Sequence, residues 1–222
     1  MDHDLIVIGC GAAGLAAAVA YADRAGRGAR IAVLERATRE GRGGATRWTS
    51  SWFRMTRDRQ LDPAFIDTMK RVSNGRADLE YCRALASEVP ATFDFLDRHG
   101  VPWVYFDQPF ANRNTGGGLG MPVPGGVAIV ETLCRVIDAL PHASIQYQTE
   151  AISLDADAEG RVNGVQVRGP QGERRLGARA VVIACGGFEG APDLLREHLG
   201  PRGADMPLIA PTLANNRGDG IR

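Results

Sequence analysis

Leu5-Ile6-Val7-Ile8-Gly9-Cys10-Gly11-Ala12-Ala13-Gly14 is the stretch whose reading decides the fold. Leu5 to Ile8 is a short apolar run rich in β-branched residues, the pattern of a strand buried on both faces. Ala12 to Ala25 then reads as an alanine-rich helix closing near Gly26 and Gly28, and Ile31 to Leu34 as a second buried strand. Strand, glycine turn, helix and strand over about 30 residues make a βαβ unit.

Each glycine of the Gly9–Gly14 turn has its own reason. The first permits a tight strand-to-helix turn, the second lets a diphosphate approach the backbone, and the third lets helix and strand pack closely. A diphosphate would sit at the helix N-terminus, where unpaired N–H groups and the helix dipole favour negative charge. Glu35 ends the second strand. A carboxylate there accepts hydrogen bonds from a ribose 2′-hydroxyl and repels a 2′-phosphate, which disfavours NADP. The bland alternative is an incidental glycine turn with Glu35 merely closing a strand.

FAD and NAD both suit that fingerprint. Two further motifs favour FAD. Gly43-Gly44-Ala45-Thr46 lies just past the ribose carboxylate and can bring backbone amides toward the flavin side of a cofactor. Ala184-Cys185-Gly186-Gly187-Phe188 ends a buried strand with small residues, which also lets backbone approach. Taken singly, each could be a plain glycine loop.

Along the rest of the chain, Arg36 to Leu61 reads as one long loop. Asp62-Pro63 reads as an N-cap with proline at the first helical position, opening a helix to about Val72. Asp78 to Arg98 reads as a helix kinked or divided at Pro90. Val101 to Phe106 is a strand, Asp107 to Gly126 a second long loop, and Val127 to Leu140 a helix. Of the later strand-like pieces, Ser144–Thr149, Ala151–Leu154, Val162–Val167 and Glu173–Leu176, those separated by the turns at Glu159-Gly160 and Gly169–Gly172 read as an antiparallel meander. Ala180 to Ala184 is a buried strand, Pro192 to Leu199 a short helix, and Gly218-Asp219-Gly220 a turn. The expected fold class is α/β: a Rossmann-like core over residues 1–60 and 141–222, an antiparallel β-meander, and a helical and loop insertion over 61–140.

Composition narrows the function classes. The 222 residues are 44% apolar and 23% charged, with zero formal net charge. That composition suits a soluble globular protein, and no global field favours nucleic acid or anionic lipid. The apolar stretch from Leu5 to Ala20 is flanked by Asp2-His3-Asp4 and interrupted by glycines, which argues against a signal peptide, and no 18-residue apolar run predicts a membrane span. Cys10, Cys82, Cys134 and Cys185 form no CxxC pair and no zinc spacing with histidine, so no metal is expected. They read as reduced thiols used as small apolar residues, in keeping with a cytoplasmic location. His3, His99, His142 and His198 fall in no catalytic pattern and read as solvent-facing. Arg39, Arg42, Arg47, Arg54, Arg57 and Arg59 make the first long loop basic. It suits a polycarboxylate or a diphosphate, or is simply a solvated loop.

The ordered set of GxGxxG, Glu35, Gly-Gly-x-Thr, Ala-Cys-Gly-Gly-Phe and Gly-Asp-Gly-Ile resembles the FAD-dependent fumarate reductase and succinate dehydrogenase flavoprotein family, over nearly the whole chain. Arg42-Gly43-Gly44-Ala45-Thr46-Arg47 is similar to the tricarballylate dehydrogenase group, with Ala45 where that group has Asn. The resemblance implies that Gly9, Gly11, Ala13 and Gly14 hold the diphosphate of FAD and Glu35 its ribose. It implies that Gly43, Gly44, Ala45 and Thr46 approach the flavin end and that Ala151 meets the adenine side. Ala184, Cys185 and Gly186 would pack along the cofactor, and Asp219 would reach it. It further implies oxidoreduction of a carbon–carbon bond next to a carboxylate in a small-molecule substrate, by hydride exchange with flavin N5, with the electron partner open. No histidine stands near Thr46 for covalent attachment, so the FAD is expected to be non-covalent. Family members continue past this turn into a capping domain that supplies arginine and histidine to the substrate. The capping domain is absent here, and the chain reads as an N-terminal fragment with unknown catalytic residues. The rivals are a 3-ketosteroid dehydrogenase, whose tyrosine-rich loop has no counterpart at Phe110 to Gly120, and a catalytically silent FAD-binding module.

Overall fold

A computed structural model of the chain describes residues 2–106 and 118–221. β1 (Leu5–Ile8), α1 (Ala12–Ala25) and β2 (Ile31–Leu34) form the βαβ unit that the opening stretch predicts. The long loop expected after β2 instead contains a helix, α2 (Gly44–Trp48), and a strand, β3 (Phe53–Met55). Then come α3 (Phe65–Val72), α4 (Leu79–Arg98), β4 (Trp103–Phe106), β5 (Gly118–Pro122) and α5 (Gly126–Asp138). β5 falls in the second expected loop, whose residues 107–117 lie outside the described residues. β6 (Ala143–Gln146), β7 (Glu150–Ala156), β8 (Val162–Gly169), β9 (Gly172–Gly177), β10 (Val181–Ile183) and α6 (Pro192–Leu199) complete the order. Among the described residues, no helix is long and apolar enough to cross a membrane.

The departures from expectation have local causes. β3 and β5 pair with each other across a long separation, Phe53 opposite Gly120 and Met55 opposite Gly118. Glycine weakens a strand in isolation, so β5 carries little local signal. Here glycine lets the strands close up, since a Cβ on Gly118 would stand 2.5 Å from the Phe106 carbonyl oxygen of β4. Asp62 does not cap α3 directly. Its Oδ1 accepts from the Ala64 N–H at 2.8 Å and its carbonyl from the Phe65 N–H, forming the turn before the helix. α4 runs through Pro90 as a single helix, started by Asp78, whose Oδ1 accepts from the Tyr81 N–H at 2.9 Å.

Two compact units emerge, Met1–Thr49 with Val130–Arg222, and Ser50–Ile129. The first holds a parallel sheet in the order β10-β1-β2-β6 and an antiparallel sheet in the order β7-β8-β9. β6 thus joins β2 in the parallel sheet, Val33 opposite Ile145, and the meander is the three strands after it. α1 buries Leu15, Ala18, Val19 and Ala22, a single face at helical spacing, while α5 is buried over most of its surface, through Ala128, Ile129, Val130, Thr132, Leu133, Cys134 and Ile137. Ile6 and Leu34 of the parallel sheet share a core with Val165, Val167 and Leu176 of the meander, and this core fixes the two sheets together.

The second unit is not only helix and loop. It contains the antiparallel sheet β3-β5-β4 besides α3 and α4. Its core is Met55, Val89 and Phe93 with Phe53, Leu61, Trp103 and Tyr105 around them. The Phe93 and Trp103 rings lie 4.7 Å apart and Phe53 meets Phe93 edge-on at 5.4 Å.

Candidate functional site

β1, β2 and β10 end side by side, and Ile8, Leu34 and Ile183 at their carboxyl ends form the floor of a cleft of about 680 Å³. Open parallel sheets offer ligands this crevice because the loops diverge there. The first unit supplies the whole lining.

The turn between β1 and α1 forms one wall. Gly9 has φ +112°, and a Cβ on it would stand 2.3 Å from the Ala184 carbonyl oxygen of the neighbouring strand end. Only glycine allows both that backbone and that approach. A Cβ on Gly14 would stand 2.0 Å from the Gly9 carbonyl oxygen, so Gly14 packs the helix onto the strand. Gly11 and Ala13 face the cleft. Gly11 is the N-cap of α1 and offers no side-chain bond, and the first turn carries no acidic residue. A 14-residue helix thus points its N-terminus, with about half an elementary positive charge and no acidic side chain in its first turn, into the cleft. The Ala12 N–H is held by the Thr46 hydroxyl of α2 at 3.1 Å. Gly44, Ala45 and Thr46 line the cleft, while Gly43 sits behind them with its φ of +102° starting α2.

Glu35 follows β2 and is buried. Its backbone is held on both sides, its N–H donating to the Gln146 carbonyl and its carbonyl accepting from Thr149 N–H, each at 2.9 Å. Its Oε1 accepts from the Ala37 N–H at 2.8 Å. The carboxylate is therefore oriented before any ligand arrives. Arg36 turns the other way, donating to the Asn215 carbonyl at 3.1 Å and to the Asp219 carboxylate, with Glu150 at 3.5 Å. This bridge ties the last turn of the chain to the end of β2.

Ala151 lies on β7 beside a register shift between Ala151 and Ser153, and Ile152 at the shift turns into the cleft. Ala184, Cys185 and Gly186 line the wall after β10, and Asp219 joins the lining beside Gly220, which packs against Ile183 and Cys185. So the structure brings Gly9, Gly11, Ala13, Glu35, Gly44, Ala45, Thr46, Ala151, Ala184, Cys185, Gly186 and Asp219 to one cleft, with Gly14 and Gly43 one layer behind. A helix N-terminus, small residues on three walls and a fixed carboxylate suit a dinucleotide diphosphate and its ribose.

Sequence reasoning passed over Arg36, Glu189 and Asn216. Asn216 is buried, its amide N–H donates to Glu189 at 3.0 Å, and its carbonyl accepts from the Gly190 N–H at 2.8 Å. The adjacent Asn215-Asn216 pair was the available signal. The loop's arginines Arg39, Arg42, Arg47, Arg54, Arg57 and Arg59, conversely, do not line the cleft. Arg42 and Arg47 both pair with Glu131, Arg39 with Asp138 at 3.5 Å, and Arg59 with Asp97 at 2.5 Å. Arg57 stacks on Tyr105 at 5.1 Å. No cluster of potential metal ligands occurs among the described residues.

Residues 4–222 match the family described as FAD binding domain. The chain is 25% identical to the vinyl phenol reductase of Lactiplantibacillus plantarum over an alignment of 232 positions, covering all of this chain and 45% of that protein. It thus spans less than half the length of that relative. Among solved structures, a flavocytochrome c3 fumarate reductase in an open conformation superposes with a TM-score of 0.79 at 20% identity, over 99% of this chain and 39% of that one. A 3-ketosteroid-Δ4-(5α)-dehydrogenase from Rhodococcus jostii RHA1 superposes with a TM-score of 0.77 at 22% identity, over 99% of this chain and 52% of that one. The two superpositions establish a shared fold.

Proposed function

The chain belongs to the FAD-binding domain family, and from that premise we propose that it is the FAD-holding part of an oxidoreductase acting on a carbon–carbon single or double bond next to a carboxylate. The observation that carries the reading is the cleft itself, where a helix N-terminus free of acidic side chains and an oriented Glu35 stand at the carboxyl ends of parallel strands. Gly9 and Gly14 hold the turn in shape, and Gly11 and Ala13 meet the diphosphate. Glu35 binds the adenosine ribose. Gly44, Ala45 and Thr46, started by Gly43, approach the flavin end. Ala151 meets the adenine side through its backbone. Ala184, Cys185 and Gly186 pack along the cofactor, and Asp219 holds Arg36 in the wall while facing it. When bound, FAD supplies hydride exchange at its N5 with the substrate carbon. The protein's part is orientation of the cofactor and exclusion of water from its diphosphate.

The finer assignment within this class is a tricarboxylate of the tricarballylate kind, supported by the likeness of Arg42–Arg47 to that group. A second reading, reduction of a vinyl group on a phenol, is favoured by the relative that carries that name and aligns over all of this chain. The test is anaerobic oxidation of reduced viologen by the whole protein loaded with FAD, offered fumarate, tricarballylate, 4-vinylphenol and 4-androstene-3,17-dione separately. Turnover with the first or second substrate supports the leading reading. Turnover confined to vinylphenol supports the second, and turnover confined to the steroid overturns both.

The FAD is non-covalent on this reading, since no histidine stands in α2 or its flanks. Acid precipitation of the yellow protein should leave all flavin in the supernatant, and flavin in the washed pellet would contradict the assignment.

A further inference from the structure

Two thiols far apart in sequence meet beneath the glycine turn. Cys10 Sγ lies 3.8 Å from Cys134 Sγ, at a sequence separation of 124. Cys134 belongs to the buried face of α5, and Cys10 sits between the two glycines that shape the cleft wall. Both side chains are buried. A buried cysteine in apolar surroundings is inert, but these surroundings are not apolar. Arg42 reaches the pair, with one guanidinium nitrogen on Glu131, another on the Arg39 carbonyl, and a buried Nε that has no hydrogen-bond partner. The Tyr147 hydroxyl is also buried without a partner. The hydrogen bond from Cys10 holds the Cys134 thiol below its usual pKa; burial opposes this and the Arg42 guanidinium adds to it. The same bond, and burial after it, push Cys10 far up. One sulfur of the pair therefore carries the thiolate character and the other keeps its proton.

We propose that Cys10 and Cys134 are a peroxide-oxidisable dithiol that closes to a disulfide under the diphosphate turn when the cofactor does not cover it. The Cys134 thiolate attacks one oxygen of hydrogen peroxide, the O–O bond breaks, and with one proton taken up a sulfenic acid and a water result. The Cys10 sulfur then attacks the sulfenic sulfur, the S–O bond breaks, and a second water leaves with the Cys10 proton. In sum two thiols and one hydrogen peroxide give one disulfide and two waters. The sulfurs must close from 3.8 Å to about 2.05 Å, which draws the turn toward α5. Local opening of the turn admits an oxidant this small, and a bound diphosphate on Gly11 and Ala13 suppresses that opening. The coupling to cofactor rests on the FAD reading, whereas the cross-link itself does not.

The experiment exposes the reduced chain to hydrogen peroxide with and without saturating FAD. It is followed by alkylation under denaturing conditions and mass spectrometry of the unreduced tryptic digest. A linked pair of peptides carrying Cys10 and Cys134, two hydrogens lighter than the separate peptides, is expected. It should form several-fold more slowly with FAD and vanish on reduction with dithiothreitol. Cys82→Ser and Cys185→Ser should leave it, and Cys134→Ser should abolish it. The wild-type digest decides even where Cys134→Ser does not fold. Sulfinic or sulfonic acid on single cysteines without the linked pair overturns the proposal, as does a link through Cys82 or Cys185. FAD titration of the reduced chain by fluorescence quenching separates the two readings. No FAD binding to reduced chain sinks the cofactor assignment while the linked peptide still decides the dithiol. Equal FAD affinity of reduced and cross-linked chain overturns the coupling.

Discussion

Glu35 and Tyr147 show how one residue's surroundings set what it can do. Glu35 is buried, already accepts one backbone N–H, and faces a cleft built for a dinucleotide. On the proposed reading its replacement by alanine would leave ribose hydroxyls without their acceptor, and we expect Glu35→Ala to weaken FAD binding by about 1–3 kcal/mol. Fluorescence titration measures this, and thermal unfolding without FAD separates it from loss of the Ala37 bond. An unchanged dissociation constant would reduce Glu35 to a strand terminus. Tyr147 is the opposite case, a buried hydroxyl with no partner. Burial, first, with Cys134 and Cys10 nearby, pushes its pKa up to about 12. The folded protein keeps the phenol proton between pH 10 and 12, where the unfolded chain gives it up, so stability falls as pH rises through that window. Tyr147→Phe should be neutral or stabilising at pH 7, since it removes an unsatisfied polar group, and should flatten the decline above pH 10. Urea unfolding midpoints across that range are the check, and an unaltered slope would remove Tyr147 as its source.

At the scale of elements, α4 is the clearest case of a helix written locally and tested locally. Asp78 stands outside the helix and satisfies the Tyr81 N–H, and Val89, Phe93 and Leu96 are buried behind it. Asp78→Ala should destabilise the chain by about 0.5–2 kcal/mol, and Asp78→Asn should recover most of that, because both oxygen acceptors serve the cap. Chemical denaturation monitored by far-ultraviolet circular dichroism reads the difference, and an alanine variant as stable as the parent would show that the cap contributes nothing. The same helix shows the limit of local reasoning at Pro90. A proline removes an N–H donor and crowds the preceding turn, which locally argues for a break. The helix continues because Val89 and Phe93 on either side of it are packed into the aromatic core around Trp103.

For the whole molecule, charge in the cleft sets what the described lining can hold. Among the described lining residues the charged side chains are Glu35, Arg36, Glu189 and Asp219, and Arg36 is committed to Asp219 and Glu150. Such a lining can hold a cofactor by backbone and dipole, but it offers a substrate carboxylate repulsion rather than a clamp. Positioning of the reactants can lower a barrier by roughly 7–11 kcal/mol, and that part of catalysis needs groups beyond this cleft. A protein of residues 1–222 with added FAD should therefore show no viologen oxidation with fumarate or tricarballylate. Viologen oxidation with either substrate would place the clamping groups within residues 1–222.

The βαβ unit was legible because it is local. Ile6 to Ile8, the three glycine spacings and Glu35 lie within one short window, and each residue type there answers to backbone geometry or charge at its own position. Tertiary structure decided what pairs across distance. β10 comes to lie beside β1 and β6 beside β2 because both edges of an apolar two-strand sheet must be covered, and no periodicity within β6 or β10 names its neighbour. Arg36 and Asp219 meet across 183 positions, and Cys10 meets Cys134 across 124. The arginines of the first loop read equally well as ligand-binding or solvated until the fold set Glu131, Asp138 and Asp97 opposite them. Spacing along the chain determines which backbone shapes and helix faces are available, whereas partners depend on which buried faces pack together, a property of the whole core that no window of sequence contains.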